Sequence, residues 1–581
     1  LSVRPMEVQL KAEGNLETLN VPQLHLKAPG LAVVDGSVTL WDVANDLSLK
    51  TNLKAKDAHG ASIDLDGGYV MASDAYRADL VFNNLVVNNY VPMEERTVLT
   101  GKAKVNGRGF DFLSTSTTLD ATAHLSNGYM GKVNLSNVDA DATLRGGNLQ
   151  LALTAENDQV KTDLTFDGTL KRNLIEGVLD LNLPYADLQS MGFSEDVLTT
   201  RANGTMQFSY NMDKLVRVES QVETFPLKLG NDSIHTNAFY LFAEALKDTT
   251  SATIQTGDLD FTFFAPYNMF NLMPKVEKLQ KEAVSQFKKR DVDLNVLRSY
   301  LPELTLHVAA GSDNPFTDIL ETYGIEFREF VADVEASPHT GLMGNGHLYD
   351  FRKDSVRVDT AFFELAQDST KFDYRVGVQC NDQPLLPAFR AYLDGYLKAN
   401  EVDAHLTFFD KKDRKGIDLG VKGLASDTCV TFNLYPKTPI IAYREFSVNN
   451  DNYIITRPDK PFLADVRLAS LSDSTYLAVY ADESAIGKQI ANIIANDPNI
   501  QALLTVLPMP GIPSMSGILN VDATYIDQGE YFMVEGSFNA ERFAYEGMNV
   551  GNVSSRFTYM PEGETRHVID GTLAYNNLDI L

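Results

Sequence analysis

Apolar and polar residues alternate with a period of two along much of the chain. Leu149, Leu151 and Leu153, for example, alternate with polar or small residues. Runs of this kind, separated by turn residues, recur about every 10 to 15 residues from Val8 to about Tyr267. Such a pattern is typical of half-buried antiparallel strands, so the sequence predicts a mainly β protein.

The strand-like runs of the first part are predicted to form one long open sheet. No linker rich in proline, serine or glycine interrupts the first 260 residues. Roughly 20 consecutive strands would exceed the common size of a single closed sheet. We therefore expect an open, antiparallel, curled sheet, on the order of 100 Å long at about 4.8 Å per strand, with one continuously apolar face.

Eight apolar residues of three neighbouring runs are the candidate lining of a groove on that face. They are Leu149, Leu151, Leu153, Leu164, Phe166, Leu179, Leu181 and Leu183. An open groove would leave them accessible to a ligand. The same residues could instead form the dry core of a β-sandwich, and the pattern alone leaves both interpretations open.

Helical spacing interrupts the strand pattern later in the chain. After Pro274, apolar residues at intervals of three and four predict an amphipathic helix. The same spacing predicts a helix near 385–399 and another through Ile486–Ile494, with further helical turns up to Leu507. The second part of the chain is therefore expected to be a β-sheet with a few amphipathic helices inserted.

These features predict five segments. They are a repetitive β-groove segment at 1–265, a helical insert and connection at 266–330, a β segment at 331–480 that includes the helix near 385–399, a helical insert at 481–510, and a β-groove segment at 511–581 that is expected to continue beyond the chain.

The chain is strongly acidic, with 78 Asp and Glu residues against 50 Lys and Arg residues and a net charge of −28. This charge opposes binding to phosphate backbones, so no nucleic-acid partner is expected. The predicted helix after Pro274 nevertheless carries a basic cluster. Lysines beside an apolar stripe suit a membrane interface, and the candidate head-group or membrane contacts are Lys275, Lys278, Lys281 and Lys288. A solvated helix face whose apolar stripe packs on the sheet is the alternative.

No arrangement of residues points to catalysis. The nine histidines are scattered and none belongs to a His-Glu-x-x-His motif. Carboxylates such as Asp163, Asp167 and Asp180 lie on the polar faces of predicted strands, where solvation is their ordinary role. We therefore expect no catalytic residue, no metal site, no cofactor and no enzymatic activity. The two cysteines, Cys380 and Cys429, could pair or stay reduced.

Three stretches between Gly101 and Gly192 share a degenerate strand pattern of apolar, polar, apolar and glycine residues. The first runs from Gly101 to Gly109 as Gly-Lys-Ala-Lys-Val-Asn-Gly-Arg-Gly, and the second is Leu-Asp-Ala-Thr-Ala at 119–123. The third is Leu-Asn-Leu-Pro-Tyr-Ala-Asp-Leu-Gln-Ser-Met-Gly at 181–192. They resemble the repeats of the TamB/AsmA-like family. The same general strand pattern covers most of 1–265 and returns, more weakly, from about residue 330.

This resemblance implies a U-shaped sheet, a β-taco, whose apolar interior carries phospholipid acyl chains across the periplasm. The implied function is a conduit for phospholipid between the inner and outer membranes, or a chaperone in outer-membrane protein assembly. It also implies an outer-membrane β-barrel partner of the TamA/BamA type and an inner-membrane anchor in an N-terminal part, both outside this sequence. The runner-up is a structural or adhesin-like scaffold of stacked β-sandwich modules.

Overall fold

The structure, a computed structural model, describes most of the chain and divides it into two compact units. The described residues are 6–28, 32–58, 60–211, 215–224, 226–230, 232–234, 237–289, 292–354, 356–383, 387–458, 460–483, 489–507, 512–527, 532–562, 566–576 and 578–579. Unit 1 comprises Leu1–Met269 and Asp313–Thr322, and unit 2 comprises Phe270–Ser312 and Tyr323–Leu581.

Unit 1 consists mainly of antiparallel strands that pair with their neighbours along the chain. They are β1 (Glu7–Gly14), β2 (Thr18–Ala28), β3 (Ala32–Trp41), β4 (Ser48–Asp57), β5 (Ser62–Val70), β6 (Ala75–Val86), β7 (Thr97–Arg108), β8 (Thr118–Met130), β9 (Val133–Asn134), β10 (Val138–Arg145), β11 (Asn148–Glu156), β12 (Val160–Lys171), β13 (Leu174–Asp187), β14 (Leu198–Asn211), β15 (Val216–Thr224), β16 (Leu227–Leu229), β17 (Asp232–Ile234), β18 (Phe239–Ala245), β19 (Thr250–Thr256) and β20 (Leu259–Ala265).

The hairpin between β10 and β11 shows how local sequence produces this meander. Arg145 and Asn148 are directly opposed, so the loop contains only Gly146 and Gly147. Both glycines have positive φ angles, 64° and 82°. Two-residue hairpin loops of this kind match the right-handed twist of the strands, and glycine adopts them without steric cost.

Unit 2 continues the same architecture. Its strands are β21 (Leu304–Gly311), β22 (Ile325–Glu326), β23 (Glu329–Ser337), β24 (Gly341–Lys353), β25 (Val356–Gln367), β26 (Phe372–Cys380), β27 (Phe389–Lys398), β28 (Glu401–Asp410), β29 (Lys415–Ala425), β30 (Val430–Ile441), β31 (Arg444–Val448), β32 (Tyr453–Arg457), β33 (Lys460–Ser470), β34 (Tyr476–Glu483), β35 (Gln489–Asn496), β36 (Met515–Asp527), β37 (Phe532–Tyr545), β38 (Met548–Glu562), β39 (Arg566–Tyr575) and β40 (Leu578–Asp579). The predicted mainly β fold, a long antiparallel sheet with a few helices, is confirmed.

The helices are α1 (Met269–Lys289), α2 (Leu294–Tyr300), α3 (Pro315–Thr322) and α4 (Ile500–Val506). The helix predicted after Pro274 corresponds to α1, which contains that proline. The helical turns predicted up to Leu507 correspond to α4. Its N-cap is Asn499, whose side-chain oxygen accepts a hydrogen bond from the backbone N–H of Ala502 at 2.9 Å.

Two predicted helices are wrong. The segment near 385–399 forms strand β27 from residue 389 onward, and the described part of Ile486–Ile494 lies in strand β35. Residues 384–386 and 484–488 lie outside the described residues. Phe389, Leu393 and Leu397 are spaced four apart, and this spacing places them on one face of a strand as well as of a helix. Pairing with neighbouring strands therefore decides the structure.

Helix α4 requires the sheet of unit 2 to curl. Its residues Ala502 and Val506 pack against Phe408 of β28. Its N-terminal end adjoins β36, because Asn499 forms a β-bridge with Ile518. Seven successive strand pairings separate β28 from β36. In a flat sheet those strands would lie about 34 Å apart, whereas a seven-residue helix is about 10 Å long.

Candidate functional site

The eight residues predicted to line a groove lie on one face of β11, β12 and β13. Leu151 is directly opposite Phe166, which is opposite Leu179. In the same way, Leu153 is opposite Leu164, which is opposite Leu181. Because side chains alternate between the two faces of a strand, Leu149 and Leu183 share this face with the other six.

Seven of these eight residues are not sealed from solvent. Phe166 retains 9% of its surface, and the seven leucines are all partly exposed. The inward-facing residues of a packed β-sandwich would be covered by a second sheet. The leucines of the apolar face at β11–β13 therefore remain partly accessible, whereas Phe166 is buried.

Phe166 is the most buried of the eight because glycines lie beside it. A Cβ atom on Gly177 would come within 2.3 Å of the Phe166 ring, so only glycine fits there. The ring then reaches across β13 and stacks on Phe208 of β14, with 5.5 Å between ring centroids. Sequence reasoning missed Gly177 and Phe208. The signal available was a glycine within an apolar alternation, which marks close approach by another group.

The apolar face extends far beyond these three strands within unit 1. A single row of directly opposed residues crosses the sheet from β2 to β20, and each member is apolar, aromatic or glycine. The row is Leu19, Leu40, Leu49, Tyr69, Tyr76, Gly107, Leu119, Leu144, Leu149, Gly168, Gly177, Phe208, Val218, Ala243, Ala252 and Phe263. At about 4.8 Å per strand, this row follows roughly 70 Å of sheet.

Unit 2 has apolar rows of the same kind. One row crosses β21 to β30 through Leu306, Val334, Gly344, Leu365, Tyr374, Gly395, Ala404, Val421 and Leu434. Another crosses β32 to β39 through Ile454, Ala464, Ala481, Ala491, Tyr525, Val534, Tyr559 and Ile569. Each unit therefore presents a continuous apolar track that runs across its strands.

The opposite face of the sheet carries cross-strand pairs of polar side chains. His124 lies directly opposite Asp139, with 2.7 Å between the ring nitrogen and the carboxylate. His307 and Asp333 repeat this arrangement at 2.7 Å. Among the described residues no group of three His, Cys, Asp or Glu side chains is placed to hold a metal ion.

Helix α4 covers one part of the apolar track in unit 2. Val506 packs against Phe408 and Ile417, and these three side chains retain 4%, 3% and 8% of their surface. Gly416 permits this approach, since a Cβ there would lie 2.6 Å from the Val506 side chain. The apolar track of unit 2 is thus covered at β28–β29, whereas the leucines of unit 1 at β11–β13 are partly exposed.

The predicted lysines lie on α1. Lys278, Lys281 and Lys288 are exposed and Lys275 is partly exposed. Lys281 pairs with Glu277 at 3.7 Å, one helical turn away. The helix also leaves apolar side chains in solvent, namely Met269, Met273, Val276 and Val284, which are 44%, 57%, 39% and 48% exposed. An exposed apolar stripe near lysines has the composition of an interfacial helix.

Cys380 and Cys429 are both reduced and do not form a disulfide. Cys380 is buried in the sheet, and this burial raises its pKa to about 11. A neutral, buried thiol is a poor nucleophile, so Cys380 has the environment of a core residue.

No helix among the described residues has the length and apolar character required to cross a membrane. A scan against models of known protein families and a search of curated proteins both find no match for this chain.

Proposed function

We propose that this chain is a non-catalytic conduit that carries phospholipid acyl chains along the apolar face of its sheet. The observation that supports this most directly is the unbroken apolar row from β2 to β20, together with the partial exposure of Leu149–Leu183 on the same face. An apolar face of this extent has a large area to remove from water.

An acyl chain suits such a track better than a compact ligand. The rows consist of leucine, isoleucine, valine, alanine, glycine and aromatic residues, which offer dispersion contacts of similar strength at every strand. A flexible hydrocarbon chain can therefore move from strand to strand without meeting one deep binding site. Charged head groups would stay in water beyond the strand ends, because burying an unpaired charge is costly.

The cellular setting is part of the proposal and rests on the resemblance of 101–192 to TamB/AsmA-like repeats. We place the protein in the periplasm, anchored in the inner membrane and connected to an outer-membrane β-barrel of the TamA/BamA type by parts of the protein outside this sequence. Its role there is phospholipid transfer between the membranes, or assistance to outer-membrane protein assembly.

Native mass spectrometry with lipid extraction tests the proposal. The purified chain is expected to carry several phospholipids, and a detergent-stripped sample is expected to regain them from phospholipid vesicles. A folded chain that neither retains nor regains phospholipid would contradict the conduit. That result would favour the scaffold of β modules as its function.

A second measurement tests the lysines of α1. In the quadruple variant Lys275→Gln, Lys278→Gln, Lys281→Gln and Lys288→Gln, flotation with anionic vesicles is expected to decrease. The apolar stripe remains, so binding to neutral vesicles should be unchanged. Equal flotation of parent and variant on anionic vesicles would exclude a head-group role for these lysines.

A further inference from the structure

A cavity of about 220 Å³ opens at the ends of β27 and β28 in unit 2. One wall is apolar and is formed by Phe389 and Phe408, whose rings stack with 5.5 Å between centroids. Thr505 of α4 contributes another part of the lining. The cavity is smaller than the pockets that usually enclose a whole drug-sized molecule, so it suits a head group better than a complete lipid.

The opposite side of this cavity is cationic. It is formed by the turn between β28 and β29, which contributes Lys411, Lys412 and Arg414 to the lining against a single carboxylate, Asp410. Three cations and one carboxylate give this lining a formal charge of +2, whereas the whole chain carries −28. This positively charged lining in an acidic chain favours the binding of an anion.

Asp410 holds the turn in place. Its carboxylate accepts hydrogen bonds from the backbone N–H groups of Lys412 and Arg414 at 2.9 and 3.0 Å. It also accepts two from the Arg414 guanidinium at 2.9 and 2.7 Å. Burial alone would raise the pKa of Asp410, but these bonds outweigh it and the pKa is lowered. Arg414 is therefore engaged in positioning the turn.

The two lysines are the groups available to a ligand. Lys411 lies 3.7 Å from Asp382, and both side chains are more than half exposed, so this pair is weak. Neighbouring cations are paired, Arg390 with Asp413 and Lys415 with Asp418. Lys412 is exposed and has no ion pair among the described residues.

We propose that this cavity binds the phosphate-bearing head group of a phospholipid whose acyl chains follow the apolar track. Lys411 and Lys412 contact the phosphate, and the first methylene groups lie against Phe389 and Phe408. The inference rests on the proposed function and adds to it a fixed binding site for the head group, at the point where α4 covers the apolar track.

Hydrogen exchange of segment 408–416, followed by mass spectrometry, reports directly on this cavity. The probe is dihexanoyl phosphatidylglycerol, a short phospholipid that dissolves as a monomer. It is expected to protect 408–416 in the parent chain. In the variant Lys411→Gln/Lys412→Gln the concentration needed for protection should rise about tenfold, as expected for the loss of charge-assisted contacts.

A matched control is Lys353→Gln/Lys398→Gln. Both lysines are exposed at strand ends, and neither has an ion pair among the described residues. Lys398 ends β27 at the end away from Phe389, and Lys353 ends β24, so this control removes the same number of charges from residues that do not line the cavity. It should leave the protection by dihexanoyl phosphatidylglycerol unchanged.

Two further probes identify the ligand chemistry. Glycerol 3-phosphate has the phosphate without acyl chains, and octyl glucoside has a chain without phosphate. Neither should protect 408–416 at the concentration where the lipid does. Equal protection by glycerol 3-phosphate would identify a site for free phosphate compounds and overturn the lipid assignment. Protection of the lysine variant equal to that of the parent would also overturn it.

The inference and the proposed function can fail separately. If the purified chain carries phospholipid but 408–416 gains no protection from the probe, the proposed head-group site is wrong and the proposed conduit function stands. If the chain never carries phospholipid but the probe protects 408–416 in a lysine-dependent way, the cavity is supported and the conduit is contradicted.

Discussion

Replacing Leu151 by glutamate distinguishes an accessible groove from a dry core. Leu151 lies in the middle of the apolar face, between Ala142 and Phe166 on the neighbouring strands, and is partly exposed. Full burial of a leucine contributes about 1.5–3 kcal/mol, so its partial burial here contributes at most about 2 kcal/mol. The new carboxylate can remain hydrated in an open groove. We therefore expect the free energy of unfolding to fall by no more than about 2 kcal/mol.

The effect on lipid should be much larger than the effect on stability. An acyl chain that passes Leu151→Glu must displace water from a carboxylate, which costs several kcal/mol without a compensating partner. The number of phospholipids retained in native mass spectrometry is therefore expected to fall sharply. Urea unfolding of the same sample measures the stability.

Thr122→Glu is the matched control. Thr122 is exposed on the polar face of β8, between Lys104 and Asp141, and the substitution adds one negative charge as Leu151→Glu does. It should change neither lipid content nor stability appreciably. Loss of more than about 4 kcal/mol in Leu151→Glu would indicate an unpaired charge in a dry core. Full lipid retention by a folded Leu151→Glu variant would remove this face from the transport path.

Three further predictions concern packing and reactivity. Gly177→Ala should lower the free energy of unfolding by about 1–3 kcal/mol in urea, because its Cβ would collide with the Phe166 ring. Val506→Ala should cost about 2–3 kcal/mol and speed hydrogen exchange in α4, since two methyl groups are lost from a buried contact. At pH 8, iodoacetamide should label Cys429 in the native chain and leave Cys380 unmodified, because burial raises the Cys380 pKa to about 11.

Each of these predictions has a control within the chain. Gly344→Ala adds a Cβ that meets nothing closer than 3.4 Å, so it should be tolerated better than Gly177→Ala. Gln501→Ala alters an exposed position of α4 and should leave its exchange unchanged. In urea both cysteines should react. Equal losses of unfolding free energy in Gly177→Ala and Gly344→Ala would contradict the argument for Gly177. Unchanged hydrogen exchange of α4 in Val506→Ala would contradict the argument for Val506. Rapid labelling of Cys380 in the native chain would contradict its burial.

The shared face of the eight candidate residues was predictable from sequence because strand side chains alternate strictly. Once Leu149–Leu153 is a strand, its leucines must share a face. The partners of those leucines were not predictable, since register depends on pairing between strands. Gly177 illustrates the difference, because its role appears only when β12 and β14 place Phe166 and Phe208 on either side of it.

The strands β27 and β35 show where sequence periodicity is ambiguous. Residues four apart share a face in both a helix and a strand, so Phe389, Leu393 and Leu397 fit either structure. The intervening Tyr392 and Tyr396 favour a strand, as aromatic residues generally do. Hydrogen bonding to β26 and β28 supplies the deciding contribution, and it comes from residues outside the segment itself.

The sequence by itself determined that the chain is built mainly of strands and that the leucines of β11–β13 share a face, because both follow from a period of two and from turn chemistry. The tertiary structure decided which apolar residues stand opposite one another, that the leucines at β11–β13 of unit 1 remain partly exposed, and that α4 covers the apolar face of unit 2 at β28–β29. These features depend on pairing register and on the approach of a helix that lies about 90 residues further along the chain, and no local pattern encodes contacts over such a separation.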